Sequence, residues 1–365
     1  MNKIGLYVHI PFCESKCKYC NFVSGNFSRD IQEKYLDTLI KEINSYKIQN
    51  NVSTIFFGGG TPSILTAEDI EKIILAIKNN FKISKNVEIT IECNPNSVSL
   101  EKLKKYKKLG INRISFGVQS LNDSVLKLIG RVHNKKQALQ AIKNARLAGF
   151  KNINVDLLLG IKENKNIFQD ICLLKKLGVT HISAYMLILE KGTPLFNQAK
   201  QNKVKLMSDD ESVEDYENYL KVLKQNGFNR YEISNFCLKG YQCQHNINYW
   251  ECGEYIGFGV SAHSYMNGVR YSNTENINDY LKDFNKKQFE KLSSQEKLEE
   301  LIMLGLRTKR GVSLKKLAEY KYEPLKNKNA LKLLSVGLIK INKTHLYITS
   351  KNFGIANQII LKLVE

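Results

Sequence analysis

No stretch of this 365-residue chain stays apolar for the ~20 positions that a helix needs to cross a bilayer. Met1–Ile10 carries one lysine and a short apolar run, which is not the pattern of a secretory leader. Solenoid repeats and low-complexity linkers are missing as well. These absences lead to the expectation of a cytoplasmic protein, in a compartment that keeps thiols reduced. Acidic residues are in deficit, with 35 Asp and Glu against 55 Lys and Arg, giving a formal net charge of +20. Such an excess can mark contact with nucleic acid or an anionic membrane. Here the lysines are scattered, apart from short clusters such as Lys102–Lys108, so a solvated basic surface is the favoured reading and nucleic acid is not an expected partner. Tryptophan occurs once, at Trp250.

What is present is ordinary for a globular chain: 43% hydrophobic and 25% charged residues, enough to bury a core without disulfides. β-rich stretches at Ile4–Ile10, Val52–Phe57, Val87–Ile91, Arg113–Val118, Asn152–Leu158 and His181–Leu187 alternate with amphipathic ones at Asp30–Tyr46, Ala67–Asn80, Leu100–Leu109, Lys135–Ala148 and Lys165–Leu177. Gly110, Gly149 and Gly178 follow helical stretches, as C-terminal caps do. Strands separated by helices pair in parallel. The spacing predicts an α/β fold, a partial (β/α)6 barrel over 1–225, with ligands at the C-terminal ends of its strands. Asp209–Asn226 reads as a further helix. A β-rich extension follows over 226–283, with strands at Tyr231–Asn235 and Tyr255–Val260. The tail, 284–365, reads as a winged-helix-like domain. Its helices fall at Lys297–Leu306, after the Ser313 N-cap and at Ala330–Val336, and a hairpin turns around Asn342-Lys343 over Leu338–Thr349.

Three of the eight cysteines sit in Cys13-Glu-Ser-Lys-Cys17-Lys-Tyr-Cys20, directly after the first strand. Three thiolates on one short loop can hold three irons of a cubane and leave the fourth without a protein ligand. That vacancy suits the amino and carboxylate groups of S-adenosylmethionine (SAM). A structural zinc site would want a fourth ligand, and only His9 is near in sequence. One unit later comes Gly58-Gly-Gly-Thr-Pro-Ser63, a glycine run at a strand end that lets the backbone approach a ligand closely.

The C-x3-C-x2-C loop, the GGGTP segment and the six strand–helix units together resemble the radical SAM superfamily. More narrowly, Tyr7-Val-His-Ile-Pro-Phe-Cys13, Phe57-Gly-Gly-Gly-Thr-Pro-Ser63, Ser115-Phe-Gly-Val-Gln-Ser120 and Asn154-Val-Asp-Leu-Leu-Leu-Gly160 resemble oxygen-independent coproporphyrinogen III oxidase and its relatives. The resemblance implies a [4Fe-4S] cluster on Cys13, Cys17 and Cys20. It also implies SAM contacts from Tyr7, Tyr19, Gly59, Gly60, Thr61, Glu92, Gln119, Arg131 and Asp156. The residue chemistry fits: Glu92 and Asp156 accept from hydroxyls or an ammonium, and Arg131 pairs with a carboxylate.

Within that family two features point away from the oxidase. Its fourth cysteine, two positions after the third, is Phe22 here, and its long segment ahead of the cluster loop is missing. Gln244-His-Asn-Ile-Asn-Tyr-Trp250 supplies an H-N-x-x-Y-W motif that resembles the radical SAM haem chaperone branch. His245 can ligate haem iron, and Tyr249 and Trp250 offer flat faces to a porphyrin. The residues by themselves equally permit a core aromatic pair with a hydrogen-bonded histidine. Cys243 is a candidate second thiolate or covalent anchor, and His263 a candidate for the pocket mouth. The expected function is haem binding and delivery to an acceptor such as a respiratory haem protein. Homodimerisation and peripheral attachment to a membrane stay open. Radical decarboxylation of coproporphyrinogen III is the first alternative, and contact of the basic surface and winged helix with nucleic acid is the second.

Overall fold

Runs rich in β-branched residues, each followed by a capped amphipathic stretch, build the first two thirds of the molecule. The computed structural model describes residues 3–164, 166–204 and 206–364. Strands β1 (Lys3–Ile10), β2 (Ile48–Gly59), β3 (Phe81–Cys93), β4 (Arg113–Gln119), β5 (Asn152–Leu159) and β6 (His181–Met186) lie side by side in sequence order, all parallel. The crossovers are carried by α1 (Arg29–Asn44), α2 (Ala67–Asn80), α3 (Leu100–Lys108), the short α4 (Asp123–Leu128) with α5 (Lys135–Leu147), and α6 (Ile167–Lys176). Lys165, the expected first residue of α6, lies outside the described residues. After β6 come α7 (Pro194–Lys200) and α8 (Asp209–Gln225).

Local chemistry sets these boundaries. Capping boxes open α2 (Thr66 with Asp69), α5 (Asn134 with Gln137) and α8 (Ser208 with Glu211). Gly110, Gly149 and Gly178 take φ of +97°, +89° and +84° behind α3, α5 and α6, a region where a Cβ is strained.

Both edges of this parallel sheet are extended. On one side β6 pairs antiparallel with β8 (Asn235–Cys237), which pairs with β7 (Asn229–Arg230). The expected strand at Tyr231–Asn235 is instead the turn between these two. Its apolar–polar alternation imitates a strand, but the Glu232 carboxylate accepts the Ser234 N–H at 3.1 Å and bends the chain back. Next comes α9 (Gln244–Trp250). On the other side β9 (Tyr255–Phe258) pairs parallel with β1, and β10 (His263–Met266), β11 (Val269–Asn273) and, beyond α10 (Ile277–Lys282), β12 (Lys287–Lys291) continue antiparallel. The result is one open sheet of twelve strands, β12-β11-β10-β9-β1-β2-β3-β4-β5-β6-β8-β7. Buried Glu42 of α1 fastens the extension: its carboxylate accepts from Gly259 N (2.8 Å), Asn273 Nδ2 (2.8 Å) and Tyr280 Oη (2.7 Å), with Lys287 Nζ at 3.4 Å.

The tail has its own core around Leu301, Leu306, Leu317, Leu333, Leu346 and Ile359. It consists of α11 (Ser294–Gly305), β13 (Val312–Ser313), α12 (Leu314–Glu319), α13 (Lys328–Ser335), β14 (Ile339–Ile341), β15 (His345–Ile348) and α14 (Ala356–Val364). One expectation is corrected here: a fourth helix, α14, completes the core. Ser313 occupies the N-cap of α12 as expected, without a side-chain cap bond, and pairs in β13–β15 opposite His345. The hairpin forms as read, with Asn342 Oδ1 accepting from the N–H groups of Thr344 and His345, both at 2.9 Å.

Candidate functional site

The cysteine loop leaves β1 and is pinned at several points. Cys13 N donates to Gly25 O (2.8 Å), Gly25 N to Pro11 O (2.9 Å) and Lys18 N to Ile129 O (3.0 Å). The glycine run of β2 lies against it, with Gly60 N on Ile10 O and Thr61 N on Phe12 O, both 2.8 Å. A Cβ on Gly60 would meet Phe12 O at 2.8 Å and Cys13 Sγ at 3.0 Å, so only glycine lets the two segments come this close.

Cys13, Cys17 and Cys20 line one pocket of ≈ 460 Å³ at the C-terminal ends of the strands. The thiols are partly exposed into it, and two already receive donors: Arg131 Nη1 to Cys17 Sγ at 3.2 Å and Thr61 Oγ1 to Cys13 Sγ at 3.7 Å. Three thiols on one loop supply the three protein ligands of a cubane with one open iron, one fewer than a structural zinc site takes. The donor set, its placement and its supporting hydrogen bonds fit a [4Fe-4S] cluster.

Around the same pocket stand Tyr19, Gly59, Gly60, Thr61, Glu92, Gln119, Arg131 and Asp156, from five different strand ends or loops. Glu92 Oε2 accepts from Gly59 N at 3.2 Å. Burial, reinforced by the charge of Asp156, pushes the Glu92 carboxyl up to about 8. Asp156 is raised too, chiefly by burial, against hydrogen bonds from Ser183 and Asn154. Arg131 also donates to Gly117 O and to Asn94 Oδ1. Gln119 sits at φ +68°, left-handed backbone that costs a non-glycine residue energy and gathers at ligand sites. Tyr7 is not in this group: it lies behind Phe56, ring centroids 6.3 Å apart, with its hydroxyl 3.0 Å from His9 Nδ1, and it lines a neighbouring cleft. Asn94, Arg113, Ser115, Asn154, Ser183 and Asn246 also line the pocket and are absent from the sequence reading. Asn154 was within reach of it, since it points to the same face of β5 as Asp156 two residues on.

The H-N-x-x-Y-W residues form α9, and the helix divides them. His245 is fully buried; its Nδ1 is 2.8 Å from Thr54 Oγ1 and its Nε2 is 2.8 Å from Tyr249 Oη. Its ring stacks on Phe56, centroids 5.1 Å apart, which separates it from the cysteine pocket. Burial holds the imidazole neutral, lowering its pKa to about 3. Tyr249 faces a cleft of ≈ 800 Å³ together with Tyr7, His9, Tyr255, His263 and Arg270, so the expectation for His263 is at a different pocket mouth. Trp250 faces a third cleft, of ≈ 920 Å³, against the tail. Cys243 is corrected to a structural thiol: it is fully buried, its Sγ donates to Glu88 Oε1 at 3.5 Å, and burial pushes its pKa up to about 12. His181 is a satisfied core histidine, on Asn154 and Tyr231, and His133 is a buried one that bonds Val118 O through Nε2 and leaves Nδ1 unpartnered among the described residues.

Comparison with known proteins agrees with this geometry. Residues 7–174 match the Radical SAM superfamily and residues 292–352 the HemN C-terminal domain. Among solved structures, coproporphyrinogen III oxidase (HemN) from Escherichia coli superposes with a TM-score of 0.82 over 99% of this chain and 90% of that one, at 22% identity, a likeness of fold. The proteins named "Heme chaperone HemW" from Lactococcus lactis and Bacillus subtilis are 34% and 35% identical, covering 98% and 97% of this chain and 96% and 97% of their own. No helix among the described residues is long and apolar enough to cross a membrane. A cluster-ready cysteine loop on an open parallel sheet, joined to full-length similarity of this degree, makes the chain a member of the HemW family of the radical SAM superfamily.

Proposed function

We propose that this protein is a cytoplasmic haem chaperone that carries a SAM-ligated [4Fe-4S] cluster and passes haem to an acceptor, such as a respiratory haem protein at the membrane surface. The observation that carries the reading is the full-length similarity to two proteins named haem chaperones. Phe22, 68% exposed on the cluster loop in place of a further cysteine, supports it against the oxidase. Cys13, Cys17 and Cys20 would hold the cluster, which supplies one-electron chemistry when bound. Glu92 and Asp156 would accept from the amino N–H groups or ribose hydroxyls of SAM, and Arg131 would pair with its carboxylate. His245, Tyr249 and Trp250 would serve haem.

For His245 to reach iron, the Tyr249 hydroxyl must leave Nε2. An anaerobic titration with haemin, followed in the Soret region, tests the role: wild type should saturate and His245→Ala should lose or shift the band. Tyr249→Phe removes the competing hydrogen bond and is expected to tighten haemin binding about 2–10-fold. No saturable band in wild type would remove the haem reading, and turnover of coproporphyrinogen III would then favour the oxidase.

The acidic pair predicts a pH dependence for SAM. With the Glu92 pKa near 8 in the free pocket, the carboxyl is mostly protonated at neutral pH. The N–H and O–H donors and the sulfonium charge of SAM favour the carboxylate, so SAM binding should release a proton from Glu92 and tighten as pH rises toward 8. Calorimetry in buffers of different ionisation enthalpy reads the proton directly. Glu92→Gln should lower the release and weaken SAM about 10–100-fold, the worth of a buried charge-assisted hydrogen bond.

A further inference from the structure

Helix α9 turns Gln244, Ile247, Trp250 and Glu251 outward, and a cleft of ≈ 920 Å³ lies between this face and the tail. That volume is within the range of about 300–1,000 Å³ typical of cofactor sites. One part of its wall is apolar. Trp250 and Ile247, three residues apart on the helix, face it with Leu238, and Leu301 and Val312 line it from the tail. The cleft is built rather than a gap between loosely placed parts. Lys309 N donates to Tyr231 O at 2.9 Å, and a β-bridge joins Glu232 to Thr308, so its rim is stitched to the β7–β8 turn.

The charge is one-sided. Lys239, Lys309, Arg310 and Lys316 line the cleft, and Glu251 is the only carboxylate among its lining residues. Glu251 is already engaged: Arg310 Nη1 is 3.0 Å from its Oε1, and Lys316 Nζ donates to its carbonyl at 2.6 Å. Lys239 and Lys309 have no ion-pair partner among the described residues. An apolar slot with one flat indole and two free ammonium groups matches a wide, flat, apolar ligand bearing carboxylates on one edge. A duplex would instead want cations spread along an open surface.

We propose that the tetrapyrrole docks in this cleft, its macrocycle against Trp250 and its two propionates on Lys239 and Lys309. This rests on the haem reading and deepens it. The docking face is the side of α9 opposite His245, and the C-terminal domain contributes half of the site. Docking here leaves the Tyr249–His245 hydrogen bond intact, so capture of haem is separate from any ligation by His245.

The test is equilibrium titration of the full chain with haemin and with haemin dimethyl ester, which lacks the carboxylates. Lys239→Glu/Lys309→Glu should bind haemin at least about tenfold more weakly than wild type, as two lost ion pairs and their reversal allow. Lys239→Arg/Lys309→Arg should retain wild-type affinity. The ester should bind both proteins alike and weakly. Both lysines are exposed, so the fold should stand, and an unchanged melting temperature checks it. Equal haemin affinity in wild type and the Glu variant would overturn the cleft assignment and leave the haem reading standing. Failure of wild type itself to bind haemin saturably would remove that reading and this inference together. If the Glu variant holds haemin normally but loses a salt-dependent retention of duplex DNA, the cleft is a nucleic-acid surface and the proposal falls.

Discussion

Replacing any one of Cys13, Cys17 or Cys20 with serine is expected to abolish cluster assembly. Iron and sulfide after anaerobic reconstitution should fall to below about a tenth of wild type, because two thiolates and a hard hydroxyl do not hold an iron–sulfur cubane. SAM binding should fall with it, by about 100-fold or more, since Glu92, Asp156 and Arg131 offer only the outer contacts. The fold should survive: the cysteine side chains are only partly buried, and serine at 17 can still accept from Arg131. The ring of Phe56 stands between the cysteine pocket and His245, and the tail cleft lies beyond α9. Haemin affinity in these variants should therefore stay within about twofold of wild type. Iron analysis, SAM calorimetry and a haemin titration on the same three proteins separate these outcomes. A parallel collapse of haemin binding would mean that the cluster takes part in holding haem.

Glu88→Ala is expected to be the most damaging substitution outside the cluster loop. The buried carboxylate receives the N–H groups of Gln244 and His245, each at 3.1 Å, and the Cys243 thiol at 3.5 Å. These are the donors at the start of α9, which a helix leaves without internal partners. Alanine would leave them buried and unpaired beside the buried Arg113 guanidinium, at a cost of about 3 kcal/mol in stability. The effect should be local first. Denaturant unfolding should show the loss, and faster amide exchange should appear over Gln244–Trp250 before the β1–β6 sheet. A Glu88→Ala protein as stable as wild type would mean that water takes over the carboxylate's place.

What could be read from the sequence was local or repeated. The strand–helix alternation, the glycine caps at 110, 149 and 178, the start and end of α2 and the turn at Asn342 all rest on neighbours within a few residues. The cysteine pocket was legible because its parts recur at successive strand ends, and eight of the nine residues assigned to SAM line it. Tyr7 lines the neighbouring cleft instead, and nothing in its neighbours in the chain says that its ring stacks beside Phe56, a β2 residue. The H-N-x-x-Y-W motif gives its six consecutive residues one expected ligand, and their sequence does not say which way each faces. A helix turns its positions 245 and 250 to opposite sides, and the partners that decide their roles, Thr54, Glu88 and the tail, are far away in the chain.

The pairing of β9 with β1 carries a consequence for how the molecule is made. Gly5–Val8 leaves the ribosome well ahead of its partner Tyr255–Phe258, which follows about 250 residues later. At about 5–20 residues per second, that is on the order of 10–50 s. Over that interval β1 pairs with β2 on one side and presents open backbone on the other, along the apolar sequence Gly-Leu-Tyr-Val. Such an edge invites pairing with another nascent chain. Ribosome-bound chains ending before Tyr255 should therefore aggregate or recruit holding chaperones, and chains that expose the next twenty residues should not.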